Sequence, residues 1–100
     1  MTRLSNYASF RTINQTLSNA GFVCLSHDAC SVNGRREGCI SFWKNPSTEK
    51  IVYVTSNMMP ATYGNVMIRS AKSEKDYTGG INQYTSSKEG LVELANRITK

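Results

Sequence analysis

A chain of 100 residues, 39% hydrophobic and 19% charged, has room for one core and a composition that excludes a disordered or membrane-embedded protein. No apolar run approaches the roughly 18 residues a membrane span needs, and the start MTRLSNYASF lacks the apolar centre of a secretory signal, so the expectation is one cytoplasmic domain over 1–100 with no membrane contact. The formal net charge of +5 favours nucleic acid or an acidic protein surface as partner, through long-range attraction.

The first element is a helix over 6–20, where Tyr7, Phe10, Ile13, Leu17 and Ala20 recur at spacings of three and four and so share one face. Gly21 supplies its stop. FVCLSHD, 22–28, reads as a strand with Val23 and Leu25 on one face and Phe22 and Cys24 on the other. CISFWKN, 39–45, and KIVYVTS, 50–56, flank the Pro-containing PSTE and form a hairpin. Pro60 and Gly64 make 57–65 a loop. VMIRSAK, 66–72, reads as a fourth strand, and the polar 73–85, centred on Gly79-Gly80, as a hairpin tip or a long loop. The last helix covers about 87–99: Ser86 and Glu89 fit a capping box, and Leu91, Leu94, Ala95 and Ile98 form an apolar stripe.

This order predicts an α+β fold with an N-terminal helix, an antiparallel sheet of three or four strands and a C-terminal helix, in two layers with both helices on one face. If the helices cover Ile40, Phe42, Val52 and Val54, the opposite face presents Ser41, Trp43, Ile51, Tyr53 and Thr55, with Met67 and Arg69, to solvent. Leu17, Phe42, Val52, Val54 and Leu94 are then the expected core.

The candidate binding residues follow from that assignment. In SVNGRREGCISFWKNP, 31–46, Asn33-Gly34 is a turn signal, which places Arg35 and Arg36 on an exposed loop with Glu37 partly offsetting them. Trp43 and Tyr53 pair on the open face, and Arg69 and Lys72 add charge beside them. Aromatics beside cations on an open sheet hold single-stranded nucleic acid; Trp, Tyr and Arg are equally the residues of protein interfaces. Packing against the 57–65 loop, or a homodimer that buries the Trp43 face, is the competing use of the same residues.

Catalytic and metal chemistry find less support. Cys24, His27, Cys30 and Cys39 spell C-x2-H-x2-C-x8-C, yet Cys24 and His27, three apart in a strand, face opposite ways, and free cysteines usually pack as small hydrophobes. His27 and Asp28 are adjacent and so diverge. Gly79-Gly80 lacks a phosphate-loop spacing, and the seven acids are dispersed. The reading is a non-enzyme with no catalytic residues, no metal and no cofactor.

Helix, three strands, helix resembles the double-stranded RNA-binding domain and the HicA-type toxins, with AGF after the first helix and GCISFWKNP as a hairpin arm. The HicA-type resemblance implies a catalytic histidine in that arm, near Ile40 or Ser41, where this chain has none; the RNA-binding one implies a lysine-rich start to the last helix, where TSSKEGL offers Lys88 alone. Two function classes result. One is a small basic module associating with nucleic acid through a basic loop and an aromatic sheet face. The other is an accessory protein, of the kind phages and mobile elements encode, that binds and inhibits or adapts a host protein.

Overall fold

The helix ends show why each helix begins where it does. Ser9 stays extended and its hydroxyl accepts the Thr12 N–H at 3.3 Å, satisfying one of the donors a first helical turn leaves without partners. Helix α1 follows over Phe10–Asn19, and Gly21, at φ +96°, takes the left-handed conformation that ends it. Helix α2, Lys88–Ile98, is capped by Ser87, whose hydroxyl accepts the Gly90 N–H at 3.0 Å. The expected cap was Ser86. Its carbonyl instead accepts the Leu4 N–H at 2.8 Å, beside an Arg3↔Ser87 bridge, which keeps the chain extended for one residue more.

This computed structural model describes residues 3–4, 9–32, 35–56, 66–76 and 80–100, with the backbone alone for 29–32 and 35–38. Five strands, β1 (Val23–Val32), β2 (Arg35–Lys44), β3 (Ile51–Ser56), β4 (Val66–Ala71) and β5 (Gln83–Thr85), form one sheet in the order β1-β2-β3-β4-β5, every neighbouring pair antiparallel. The fold is α+β, as the element order predicts, with one strand more than expected: three residues of the polar 73–85 segment pair with β4. Strands β1 and β2 also run further than the apolar pattern indicated, pairing as far as Val32↔Arg35. The loop reading of 57–65 and the turn reading of Asn33-Gly34 lie outside the described residues.

Both helices pack on one face of the sheet. Ile13 and Leu17 of α1 and Leu91 and Ala95 of α2 bury against Cys39, Trp43, Val52, Val54, Val66 and Ile68, each large apolar side chain contributing about 1.5–3 kcal/mol by leaving water. The expected core is present in Leu17, Val52 and Val54, with Leu94 packed at its margin. Phe42 is also buried, but on the other side of the sheet.

That difference comes from the β2–β3 turn. Asn45 donates its N–H to the Lys50 carbonyl at 2.9 Å, so even-numbered residues of β2 stand opposite odd-numbered residues of β3: Phe42↔Tyr53 and Trp43↔Val52. Side chains directly opposite one another share a face. Trp43 therefore lies with Val52 and Val54 under the helices, while Phe42 lies with Tyr53 on the second face. The assignment that grouped Phe42 with Val52 is one residue out of step. Strand β1 carries a comparable irregularity, since Cys24 opposes Trp43 and Ser26 opposes Phe42. Leu25 is the extra residue, and it brings Cys24 and His27 to the same, helix-covered face, where two-residue alternation had separated them.

Gly90 shows how tightly α2 sits on the sheet. A Cβ there would fall against the Thr85 hydroxyl and 2.8 Å from the Ser87 hydroxyl. Helix propensity alone makes Gly→Ala stabilising by up to about 1 kcal/mol. Gly90→Ala should do the opposite, destabilising by about 1–3 kcal/mol through overpacking, measured as a lower urea midpoint at unchanged m-value.

Candidate functional site

The candidate residues fall into three separate places. Trp43 is the most fully enclosed. It is 0% exposed, its indole N–H donates to the Ser41 hydroxyl at 2.8 Å, and Phe10 of α1 stacks 5.9 Å from its ring. His27 extends the stack, lying nearly parallel to Phe10 at 3.8 Å and 15°. Trp43 is thus part of the core, and the expectation that it pairs with Tyr53 on an open face is corrected by the hairpin register.

Tyr53, Arg69 and Lys72 do come together, on the second face. Tyr53 and Arg69 are directly opposite across β3 and β4, and the Arg69 guanidinium lies over the Tyr53 ring, 4.2 Å from its centre. Phe42 meets the same ring from β2 at 4.9 Å and a tilt of 54°. This row is not open to solvent: Tyr53 is 6% and Arg69 3% exposed. The chain leaving β4 folds over it. Arg69 donates to the carbonyls of Ser70 at 3.2 Å and Asp76 at 3.0 Å, and Ser26, three strands away on β1, donates its hydroxyl to the Glu74 carbonyl at 3.4 Å. The Asp76 carboxylate accepts the Lys72 N–H at 2.9 Å and closes the segment on itself. Residues 72–76 thus form a strap across a face that an antiparallel two-layer fold was expected to leave bare.

The charge balance under the strap is uneven. Among the described residues the ion pairs are Lys44 with Glu49 and Glu93 with Arg97, and neither involves Arg69. Its guanidinium is solvated by two neutral carbonyls and a ring face, an arrangement that satisfies donors without neutralising the charge. Lys72 itself is exposed at the root of the strap. Two residues beyond Tyr53 on the same face, Thr55 is 2% exposed and, among the described residues, its hydroxyl has no hydrogen-bond partner.

Arg35 and Arg36 lie at the other end of the sheet. Their backbone belongs to β2, opposite Val32 and Ser31, so the stretch expected as a loop is a strand. The last β2–β3 pair is Ile40↔Thr55, with the Cys39 N–H donating to the Ser56 hydroxyl at 2.8 Å just beyond it. The β1–β2 ribbon continues past that point for roughly four residues, or about 13 Å at the usual rise. Sequence reasoning passed over two partners of the second-face row, Phe42 and the strap. The parity of the PSTE turn would have revealed the first, and Ser73 with Asp76, turn-forming residues three apart, the second.

Cys24 is half-buried beneath α1, and burial pushes its thiol up from the ordinary value, an effect only partly opposed by its hydrogen bond to the Ser26 carbonyl. That disfavours the thiolate, the nucleophilic form. Among the described residues there is no grouping of three or more His, Cys, Asp or Glu side chains able to hold a metal ion, and no helix long and apolar enough to cross a membrane. Comparison with protein-family models, curated proteins and solved structures finds no match to this chain.

Trp43 gives a direct optical check, as the single tryptophan of the chain. Its emission should be blue-shifted and insensitive to iodide in the native state, becoming quenchable on denaturation. Trp43→Ala should cost about 3–5 kcal/mol, and iodide quenching in the native protein would contradict the burial.

Proposed function

We propose that this protein is a small basic, non-enzymatic module that associates with nucleic acid, and that the β1–β2 ribbon is its principal contacting element. The observation that carries this reading is the adjacent Arg35 and Arg36 on a two-stranded ribbon that runs beyond its neighbour β3. A ribbon of this kind fits a duplex major groove, and arginines are the commonest donors to phosphates and guanine edges. The net charge of +5 supports a polyanionic partner and adds steering at low salt.

The second reading is an accessory protein that docks on a host protein. It draws support from β1, a ten-residue strand at the edge of the sheet with no Lys or Pro in its sequence. Edges without such residues accept an added strand.

Fluorescence anisotropy of labelled duplex and single-stranded oligonucleotides, measured across a series of salt concentrations, separates the two. Wild type should bind with a steep salt dependence. A double Arg35→Ala, Arg36→Ala variant should melt within about 1 kcal/mol of wild type, weaken binding to all sequences and flatten the salt slope by up to about two contacts. Absence of binding by wild type at the lowest salt would rule out the nucleic-acid reading and leave the protein-docking one.

A further inference from the structure

We propose that the strap 72–76 is a displaceable cover, and that the row beneath it is a second site, one that takes a nucleotide unit of a single strand. The proposal rests on the nucleic-acid reading above and assigns a second element to it. Three independent features point to a ligand. Arg69 is buried with no carboxylate partner among the described residues, its donors held by the Ser70 and Asp76 carbonyls. The Thr55 hydroxyl is buried on the same face with no hydrogen-bond partner among the described residues. The cover itself is polar: Lys72, Ser73, Glu74 and Lys75 are all exposed, so lifting them uncovers little apolar area of their own.

The exchange is chemically even. A phosphate takes the place of two neutral carbonyls on the Arg69 guanidinium, giving a buried cation its counter-charge through bidentate, charge-assisted hydrogen bonds. As the guanidinium turns toward the phosphate it leaves the face of Tyr53, and a base stacks there, with the tilted Phe42 ring already packed against Tyr53. Thr55 lies within the same face to hydrogen-bond the base or sugar, and Lys72, exposed at the root of the strap, meets the neighbouring phosphate. Trp43, on the other side of the sheet, takes no part.

A covered site binds with an affinity reduced by the fraction of time the cover is open. Changes that loosen the strap without touching the row should therefore tighten binding. Ser26→Ala removes the tie to the Glu74 carbonyl, and Asp76→Ala removes the carboxylate that accepts the Lys72 N–H.

The test is a titration of ¹⁵N-labelled full-length protein with oligo(dT), followed by NMR, together with anisotropy on the variants. Expected are shifts of the Lys72 and Asp76 amides and of the Tyr53 ring, several-fold tighter binding by S26A and D76A, and loss of the Tyr53 shift in R69Q with binding by the β1–β2 ribbon retained. If R69Q fails to fold, the charge-neutral S26A decides alone, since a purely structural strap predicts unchanged or weaker binding there, whereas D76A also removes a negative charge and gains some affinity for a polyanion on that ground. Binding of oligo(dT) with the Lys72, Asp76 and Tyr53 signals unmoved and no gain in S26A or D76A would overturn the covered site while leaving the ribbon's role intact. No binding of oligo(dT) or duplex by wild type would overturn both.

Discussion

The turn that closes Asn45 onto Lys50 governs which face of the sheet receives Phe42, Trp43 and Tyr53. Four residues, 46–49, lie between the bonded Asn45 and Lys50, and Asn45 organises the turn: its carbonyl accepts from Thr48 at 3.2 Å and Glu49 at 2.8 Å, while its side chain accepts the Ser47 N–H at 2.9 Å. Glu49 enters the left-handed region at φ 64° to finish it, and its carboxylate reaches Lys44 at 3.1 Å. The Asn45 amide also donates to the Thr99 hydroxyl at 3.0 Å, tying the turn to the end of α2. A one-residue slip here would send Trp43 to the second face and Phe42 into the helix layer. With the register held, the bulky indole fills the space under α1, and the second face receives a ring, Phe42, that the Tyr53–Arg69 pair can close over.

The two faces are consequently held by different physics. The helix side is an apolar core, closed by Ile13, Leu17, Leu91 and Ala95. The second side is a row of two rings and a guanidinium, closed by backbone carbonyls of a polar strap. Among the described residues Arg69 is buried with no carboxylate partner, which is costly in a purely structural setting, and it is here that the fold departs from what stability alone would select. Such departures concentrate where a protein meets a ligand.

Much of this was legible from the residues. The 3.6-residue stripe of Ile13 and Leu17, the Leu91 and Ala95 stripe and a capping serine one residue from its expected place at α2 each reflect local physics that a linear pattern carries. Ser87 in place of Ser86 depends on the pairing of Arg3 and Leu4 with Ser87 and Ser86, a contact between distant parts of the chain. The outer half of the β1–β2 ribbon was invisible because 29–38 has no apolar alternation; what holds it is main-chain pairing, to which side chains give little clue. The face of Trp43 was a different matter. Pairing 45 with 50 implies that Phe42 meets Tyr53, whereas hydrophobicity alone groups Phe42 with Val52; between the two, the parity of the turn decides the face. All of the strap but Lys72 falls in the segment that reads as loop or hairpin tip; Ser73 and Asp76 mark its turn, but its crossing to Ser26 is a tertiary fact with no local signature.

Nuclear Overhauser contacts of the aromatic rings test this arrangement most directly, because the two possible registers place different rings together. The structure predicts contacts between the Phe42 and Tyr53 rings, and between the Trp43 indole and both the Phe10 ring and the Val52 methyls, with none from Trp43 to Tyr53. A Trp43–Tyr53 ring contact, or Phe42 in contact with Leu17 or Ile13, would contradict it and return Trp43 to the second face of the sheet.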